Sequence, residues 1–190
     1  MNFLDMKFFS NKFLSVYIIP AFIFTVIAAV FSWPLVSVFF NDLGHDGQWY
    51  IKISEGRFNE VLQPFSGRVL YPFLAAFLDK ITALDISESF FLLGIVSLFF
   101  FFLIISFFLK KIGFSPLFLT PIVFVPYFIE ISREIFLPDI FYIFLTSLFL
   151  FFIFRNQEHL DLIILFLLFL TRESTILLGL ILVVLSWLRG

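Results

Sequence analysis

The sequence predicts an all-α integral membrane protein, on the evidence of its composition and the length of its apolar runs. Of the 190 residues, 62% are hydrophobic and 14% are charged, whereas a soluble domain is about half apolar and a quarter charged. Several uncharged runs approach or exceed the roughly 20 residues that a helix needs to cross a bilayer. We therefore predict a polytopic helical bundle with about five spans and one or two juxtamembrane or re-entrant helices.

The charge balance and the absence of cysteine exclude a nucleic-acid-binding surface and disulfides, and the apolar pattern indicates a single domain. The 12 basic and 14 acidic residues nearly balance, so the chain lacks the basic surface that nucleic-acid binding needs. It has no cysteine, so no disulfide forms. No soluble domain, linker or fixed repeat interrupts the pattern. We predict one membrane-embedded domain over residues 1–190, either complete or a fragment of a longer chain.

The first predicted span covers residues 13–40, which carry no charge. This run is longer than a bilayer requires, so the helix either tilts or ends early near Pro34. It also exceeds the apolar region of a cleaved signal peptide and lacks a small-residue cleavage site. An uncleaved signal anchor is therefore favoured.

A polar segment at residues 41–68, which we call the island, follows the first span. Four of its residues share the i, i+3, i+4, i+7 spacing of one helix face: Asp46, Trp49, Tyr50 and Ile53. We expect this short helix on the membrane surface, with its aromatic rings at headgroup level. The apolar run 69–78 is half the length of a span, so it is predicted to be interfacial or re-entrant. The outward loop and its juxtamembrane helices together cover residues 41–84.

The second half of the chain supplies the other spans. Further uncharged runs lie at residues 89–109, 112–129 and 140–154, with a second polar patch at 130–139. The last apolar run, 162–188, has Arg172 and Glu173 at its midpoint. It forms either one helix with a buried ion pair or two half-helices that turn back.

Basic residues in short loops predict the orientation, because they mark the cytoplasmic side. With the spans counted as above, five of them share one side: Lys7, Lys12, Lys110, Lys111 and Arg155. The N-terminus is then cytoplasmic. The island and the patch 130–139 both face outward, so the two polar segments converge on one membrane face.

Asp46 is the first candidate for catalysis. It acts as the N-cap of the short helix, as a general base or as a metal ligand, and the cap does not exclude the other roles. Partial desolvation by Trp49 and Tyr50 favours the general base. His45 either binds a metal beside Asp46 or faces water. With two His and no Cys, a zinc site built from protein alone is disfavoured.

The other charged candidates each have a structural and a functional interpretation. Arg68 either anchors the chain at the interface by snorkelling or contacts a phosphate, which suits a planar guanidinium. The second patch forms either loop ion pairs and helix-end contacts or a site for an anionic substrate: Glu130, Arg133, Glu134 and Asp139. Arg172 and Glu173 pair, reach water or contact a ligand's charge.

Four short segments together resemble a known superfamily: HDGQWYIKISEGRF (45–58), GRVLYPFLAAFL (67–78), REIFLPD (133–139) and LTREST (170–175). Their order resembles the GT-C polytopic glycosyltransferases, most of all bacterial members and more distantly the GPI and dolichyl-phosphate-mannose mannosyltransferases. The resemblance implies a membrane-embedded helical module and polyprenyl-phosphate-linked sugar donors. Members are usually longer than this chain, which leaves open a fragment, a minimal homologue or an inactive relic.

The resemblance also implies roles for individual residues. Asp46 matches the first-loop Asp that acts as base or metal contact, and Glu134, or less closely Asp139, matches the second outward acidic position. The implied candidates for the lipid phosphate are Arg68, Arg133 and Arg172.

We therefore expect sugar transfer on the outer membrane face, with Asp46 taking the proton of the acceptor. Trp49, Tyr50, Asp139 and Glu173 complete the predicted substrate-binding set, and membrane lipids surround it. A Mg²⁺ or Mn²⁺ ion between Asp46 and Glu134 fits the preferences of those ions. The rival functions are a transporter or lipid flippase, for which a broken helix is typical, and a non-catalytic membrane scaffold subunit.

Overall fold

The structure, a computed structural model, describes residues 14–41, 46–63, 65–120, 138–155, 157–176 and 179–180. Every regular element in these ranges is helical, which confirms the all-α prediction. The α-helices are α1 (Ile19–Asn41), α2 (Gly47–Ser54), α3 (Leu70–Ile81), α4 (Ile86–Lys111), α5 (Pro138–Phe154) and α6 (Glu158–Thr171). A π-helical turn precedes α1, and the short 3₁₀ turns are Phe58–Glu60, Phe65–Gly67 and Pro116–Leu119.

The predicted apolar runs form helices close to the expected bounds. α1 continues past Pro34 to Asn41, so the alternative of an early end near Pro34 is wrong. α3 is the short helix expected after the island, and its length of about 18 Å is too small to cross a bilayer. α4 begins at a capping box, in which Asp85 and Glu88 each accept a hydrogen bond from the other's backbone N–H.

The chain leaves helical structure after α4, where the third span was predicted to begin. It turns at Gly113, whose φ of 90° is a conformation that favours glycine. The 3₁₀ turn Pro116–Leu119 follows. Residues 121–137, which hold half of the predicted span 112–129 and most of the patch 130–139, lie outside the described ranges.

The last apolar run is interrupted in the middle, and the predicted return of a second half-helix lies mostly outside the described residues. α6 ends at Thr171, and the backbone of Arg172 is extended, with φ −157° and ψ 132°. A turn at Glu173 and Ser174 precedes renewed helix at Thr175. The buried Thr175 hydroxyl donates to the Leu168 carbonyl at 3.0 Å, and the same carbonyl also accepts the backbone N–H of Arg172 at 3.0 Å.

Ring contacts establish the directions of α1 and α4. The Tyr17 ring, beside the start of α1, lies 6.1 Å from the ring of Phe107, near the end of α4. Farther along α1, the Phe24 ring lies 5.6 Å from that of Phe102. Since one series rises as the other falls, α1 and α4 are antiparallel.

α4 and α5 run in the same direction. The ring centroids of Phe100 and Phe144 are 5.9 Å apart, and those of Phe107 and Phe151 are 5.4 Å apart. Since both series rise together, α4 and α5 are parallel.

The bundle has two chemically different ends. At one end, which we call the basic end, the Lys111 ammonium lies 5.4 Å from the Phe154 ring and the Arg155 guanidinium 5.3 Å from the Phe107 ring. At the other, which we call the island end, the Tyr71 ring packs against Phe90 and Phe141, near the starts of α4 and α5. The Tyr71 hydroxyl donates to the Phe90 carbonyl at 3.0 Å. α2 and α3 pack at this end.

Of the helices whose side chains are described throughout, one is both long enough and apolar enough to cross a membrane, and that helix is α4. Segment Ser15–Val30, α5 and most of α6 are apolar but shorter. The all-α architecture is therefore established, and the number of spans stays a prediction.

Candidate functional site at the island end

α2 presents the predicted face, with its apolar part buried and its acidic residue exposed. Tyr50 and Ile53 are buried in the core shared by α3, α4, α5 and α6. Asp46 occupies the N-cap position, and its backbone carbonyl accepts a hydrogen bond from the Trp49 N–H at 3.1 Å. Its side chain makes no capping bond. The N-cap role predicted for the Asp46 carboxylate is therefore wrong, and the carboxylate is exposed to solvent.

Arg68 connects the island to the interruption after α6. Its guanidinium binds the Glu173 carboxylate through two atoms, Nε to Oε2 at 3.0 Å and Nη2 to Oε1 at 2.5 Å. Its Nη1 donates to the Tyr50 hydroxyl at 3.1 Å. The Phe65 ring centroid lies 5.2 Å from the guanidinium carbon. Arg68 thus makes directed contacts within the protein.

Asp139 and Arg172 form a second ion pair beside the first. Asp139 lies in the first turn of α5, and Arg172 donates from Nη1 to its carboxylate. The Arg172 guanidinium also lies 5.8 Å from the ring of Tyr142, one turn farther along α5. Both charged side chains are about one-third exposed.

Arg172 and Glu173 therefore do not pair with each other, and that predicted alternative is wrong. Each binds a different segment: Arg172 binds the start of α5, and Glu173 binds the island. The physical reason is the interrupted helix, because an extended residue followed by a turn directs adjacent side chains to different sides.

Burial and charge set the protonation of the cluster. Burial raises the pKa of Tyr50 to about 12, and the hydrogen bond from Arg68 opposes this shift without cancelling it. The negative charges of Asp139 and Asp46 raise it further. The hydrogen bonds from Arg68 lower the pKa of Glu173. At neutral pH the Tyr50 phenol is therefore protonated and the Arg68–Glu173 pair is ionised.

Aromatic contacts fix α2 against the Arg68 turn. The Trp49 ring stacks on Phe65 with centroids 6.5 Å apart, and Tyr50 meets Phe65 edge to face at 5.8 Å. The Lys52 ammonium lies 4.9 Å from the Trp49 ring. The roles of Phe65 and Tyr142 as ring partners were missed from the sequence. The available signal was their spacing, three residues from Arg68 and from Asp139 respectively.

Seven of the predicted site residues come together at the island end: Asp46, Trp49, Tyr50, Arg68, Asp139, Arg172 and Glu173. His45, Arg133 and Glu134 lie outside the described residues. In the described part of the chain, no three His, Asp or Glu side chains assemble to hold a metal ion. The predicted Mg²⁺ or Mn²⁺ site at Asp46, with His45 or Glu134, stays a prediction.

Fold and site together define an all-helical protein with a charged, partly exposed cluster at one end of an apolar bundle. Comparisons with protein-family models, curated proteins and solved structures find no match to this chain. The resemblance to the GT-C glycosyltransferases therefore stays an interpretation of short motifs. The cluster contains a solvent-exposed carboxylate, a protonated phenol and two guanidinium groups. They belong to Asp46, Tyr50, Arg68 and Arg172.

Proposed function

We propose that this protein is a GT-C type membrane glycosyltransferase, which moves a sugar from a polyprenyl-phosphate-linked donor to an acceptor on the outer face of a bacterial inner membrane. The observation that carries the proposal is the cluster itself. Three segments far apart in the sequence (the island, the start of α5 and the interruption after α6) bring acidic and basic groups to one end of an apolar bundle.

The surface of the bundle supports a membrane location. Only 28% of the most apolar window of α4 is buried within the protein, whereas the core helix of a soluble protein is mostly buried. Large apolar side chains are also exposed on other helices: Phe22, Ile23 and Val30 on α1, and Leu162, Ile163 and Phe166 on α6. Extended exposed apolar surface of this kind marks contact with a membrane or a partner.

The helix directions support the predicted spans. Antiparallel α1 and α4, followed by parallel α4 and α5, fit a chain that crosses the membrane in alternating directions with residues 112–129 as the returning span. Lys111 and Arg155 then lie at the cytoplasmic end, in accord with the distribution of basic residues.

In the proposed reaction, the hydroxyl oxygen of the acceptor attacks the anomeric carbon of the donor sugar, and the Asp46 carboxylate accepts the proton of that hydroxyl. The bond between that carbon and the lipid phosphate breaks, and the phosphate leaves with the electron pair. Arg68 and Arg172 stabilise the charge that develops on the phosphate, and the surrounding helices orient both substrates. The Asp46 carboxylate makes no capping bond and is exposed, so an acceptor hydroxyl can reach it, but the partial desolvation predicted from Trp49 and Tyr50 is not observed.

The experiment that tests the proposal replaces Asp46 by Asn in the native host, with profiles of glycans and lipid-linked sugars as the readout. We expect the donor to accumulate and one glycosylated product to disappear. Asp79→Asn is the matched control, because Asp79 is also exposed but lies at the end of α3. An unchanged profile at normal protein level would remove the enzyme from consideration.

The interrupted helix after α6 favours a second candidate, a transporter or lipid flippase. A transporter places polar groups along a path through the bilayer. In the described helices, charged residues lie near the two ends, with an uncharged stretch between them. For a flippase, cells that lack the protein would still make the glycosylated lipid but retain it in the inner leaflet. For a scaffold subunit, Asp46→Asn would be silent.

A further inference from the structure

The two partners of the Arg68–Glu173 ion pair differ in how firmly the protein holds them. The Arg68 side chain is 12% exposed, whereas the Glu173 side chain is 48% exposed. Arg68 is also held from the protein side, by the Tyr50 hydroxyl at 3.1 Å and by the Phe65 ring at 5.2 Å. The cation is therefore the fixed member of the pair, and the carboxylate approaches it from the solvent side.

The part of Arg68 that Glu173 occupies is the part that recognises oxyanions. Glu173 binds the Nε and Nη2 edge with two oxygens. This planar fork matches two oxygens of a carboxylate or of a phosphate equally well. Glu173 thus occupies the positions that two phosphate oxygens would take.

The backbone allows Glu173 to withdraw. The residue follows the end of α6 directly, in a turn between the extended Arg172 and the renewed helix at Thr175. A change of torsion angles in this turn moves the carboxylate away without unwinding α6. Asp139 is held differently, because it lies in the first turn of α5.

The charge balance of the cluster favours a phosphate that replaces Glu173 on Arg68 over a phosphate that binds in addition to Glu173. Among the described residues, the cluster contains three carboxylates, of Asp46, Asp139 and Glu173, and two guanidinium groups, so an added phosphate would meet an excess of negative charge from these side chains. If the phosphate replaces Glu173 on Arg68, the guanidinium stays neutralised and the released carboxylate gains full hydration.

We propose that Glu173 is an internal competitor at an anion site on Arg68, and that a phosphate group of the substrate displaces it. The choice of phosphate rests on the proposed function, while the displacement rests on the geometry of the pair. In the absence of substrate, Glu173 holds the interruption after α6 against the island and keeps the site closed to other anions.

The test uses the purified full chain in neutral detergent micelles, with decyl phosphate and inorganic phosphate as probes and decanol as the uncharged comparison. We expect Glu173→Gln to bind decyl phosphate about tenfold more tightly than the wild type, as loss of one charge-assisted competitor implies. Arg68→Gln should lose binding. Glu55→Gln is the matched control, because Glu55 also pairs with an arginine, Arg57, and is 46% exposed.

Equal dissociation constants for wild type and Glu173→Gln would overturn the proposal, and so would an equal gain in Glu55→Gln. Glu173→Asp keeps the charge but shortens the reach. It should show a smaller gain, which provides a second measurement if Glu173→Gln does not fold. A gain with decyl phosphate alone assigns the anion to a lipid headgroup, and a gain with both probes assigns it to free phosphate; both support displacement.

This outcome is separable from that of the proposed function. Tighter binding in Glu173→Gln, together with an unchanged sugar profile in Asp46→Asn, would leave the anion site standing without the glycosyltransferase. Unchanged binding in Glu173→Gln, together with an altered sugar profile in Asp46→Asn, would support the glycosyltransferase and overturn the role of Glu173 as a competitor.

Discussion

Replacing Glu173 by Gln should destabilise the fold more than its exposed position suggests. The substitution leaves the Arg68 guanidinium, which is 12% exposed, without its counter-charge. Exposed pairs contribute about 0–1 kcal/mol, whereas breaking a buried pair costs about 3–5 kcal/mol. Because one partner is nearly buried and the other half-exposed, we expect a loss of about 1–2 kcal/mol.

A double-mutant cycle isolates this interaction from other effects of the two substitutions. Arg68→Gln, Glu173→Gln and the double variant are unfolded reversibly in mixed micelles, and the free energy of unfolding is measured for each. The coupling energy should be about 1–2 kcal/mol, above the roughly 0.3–0.5 kcal/mol within which independent sites add. High salt should reduce it only in part, since burial limits screening.

The chain provides its own control cycle. Arg57 and Glu55 form a pair in which both side chains are 46% exposed, so Arg57→Gln and Glu55→Gln should couple by less than about 0.5 kcal/mol. If the coupling at Arg68–Glu173 is no larger than that of this exposed pair, the argument from burial is refuted.

Two further predictions follow from the same structure. In the folded state the pKa of Glu173 is lowered from its ordinary value of 4.5. The ion pair therefore stabilises the fold above pH 4.5, and this stability is lost as the pH falls through the folded-state pKa. Acid unfolding curves should show the loss in the wild type and not in Glu173→Gln, and equal curves would contradict the shift. Phe102→Ala should lower the free energy of unfolding by about 3–5 kcal/mol, because the Phe102 side chain on α4 is fully buried against α1. Phe100→Ala, two residues earlier on α4 and 42% exposed although its ring contacts Phe144, should cost less when both are measured by unfolding in mixed micelles.

Much of the local structure follows from the sequence, because helical periodicity and apolar length act over neighbouring residues. The i, i+3, i+4, i+7 spacing predicted the α2 face on which Tyr50 and Ile53 are buried. The short run after the island predicted α3. The polar interruption at Arg172 predicted a broken or ion-paired helix, and the structure decides for the break.

The pairings within the site were not predicted. From the sequence, Arg172 and Glu173 appeared as a pair because they are adjacent, and Asp46 appeared as a cap because it precedes a helix. In the structure, Glu173 instead binds Arg68, 105 residues away, and the Asp46 side chain makes no capping bond. The partner of a charged side chain depends on which helix ends the packing brings together. A local sequence pattern does not encode which distant residues will be neighbours.

The sequence by itself determined the all-helical class, the positions of most described helices and the two polar segments, because each depends on the period and length of an apolar run. The sequence also predicted that the two polar segments lie on one membrane face. Tertiary structure alone decided that the interruption after α6 joins the island and the start of α5 at one end of the bundle. It also decided that Arg68 and Arg172 take separate carboxylates. The reason is that charges in an apolar protein must find partners, and the packing of the helices determines which partners are within reach.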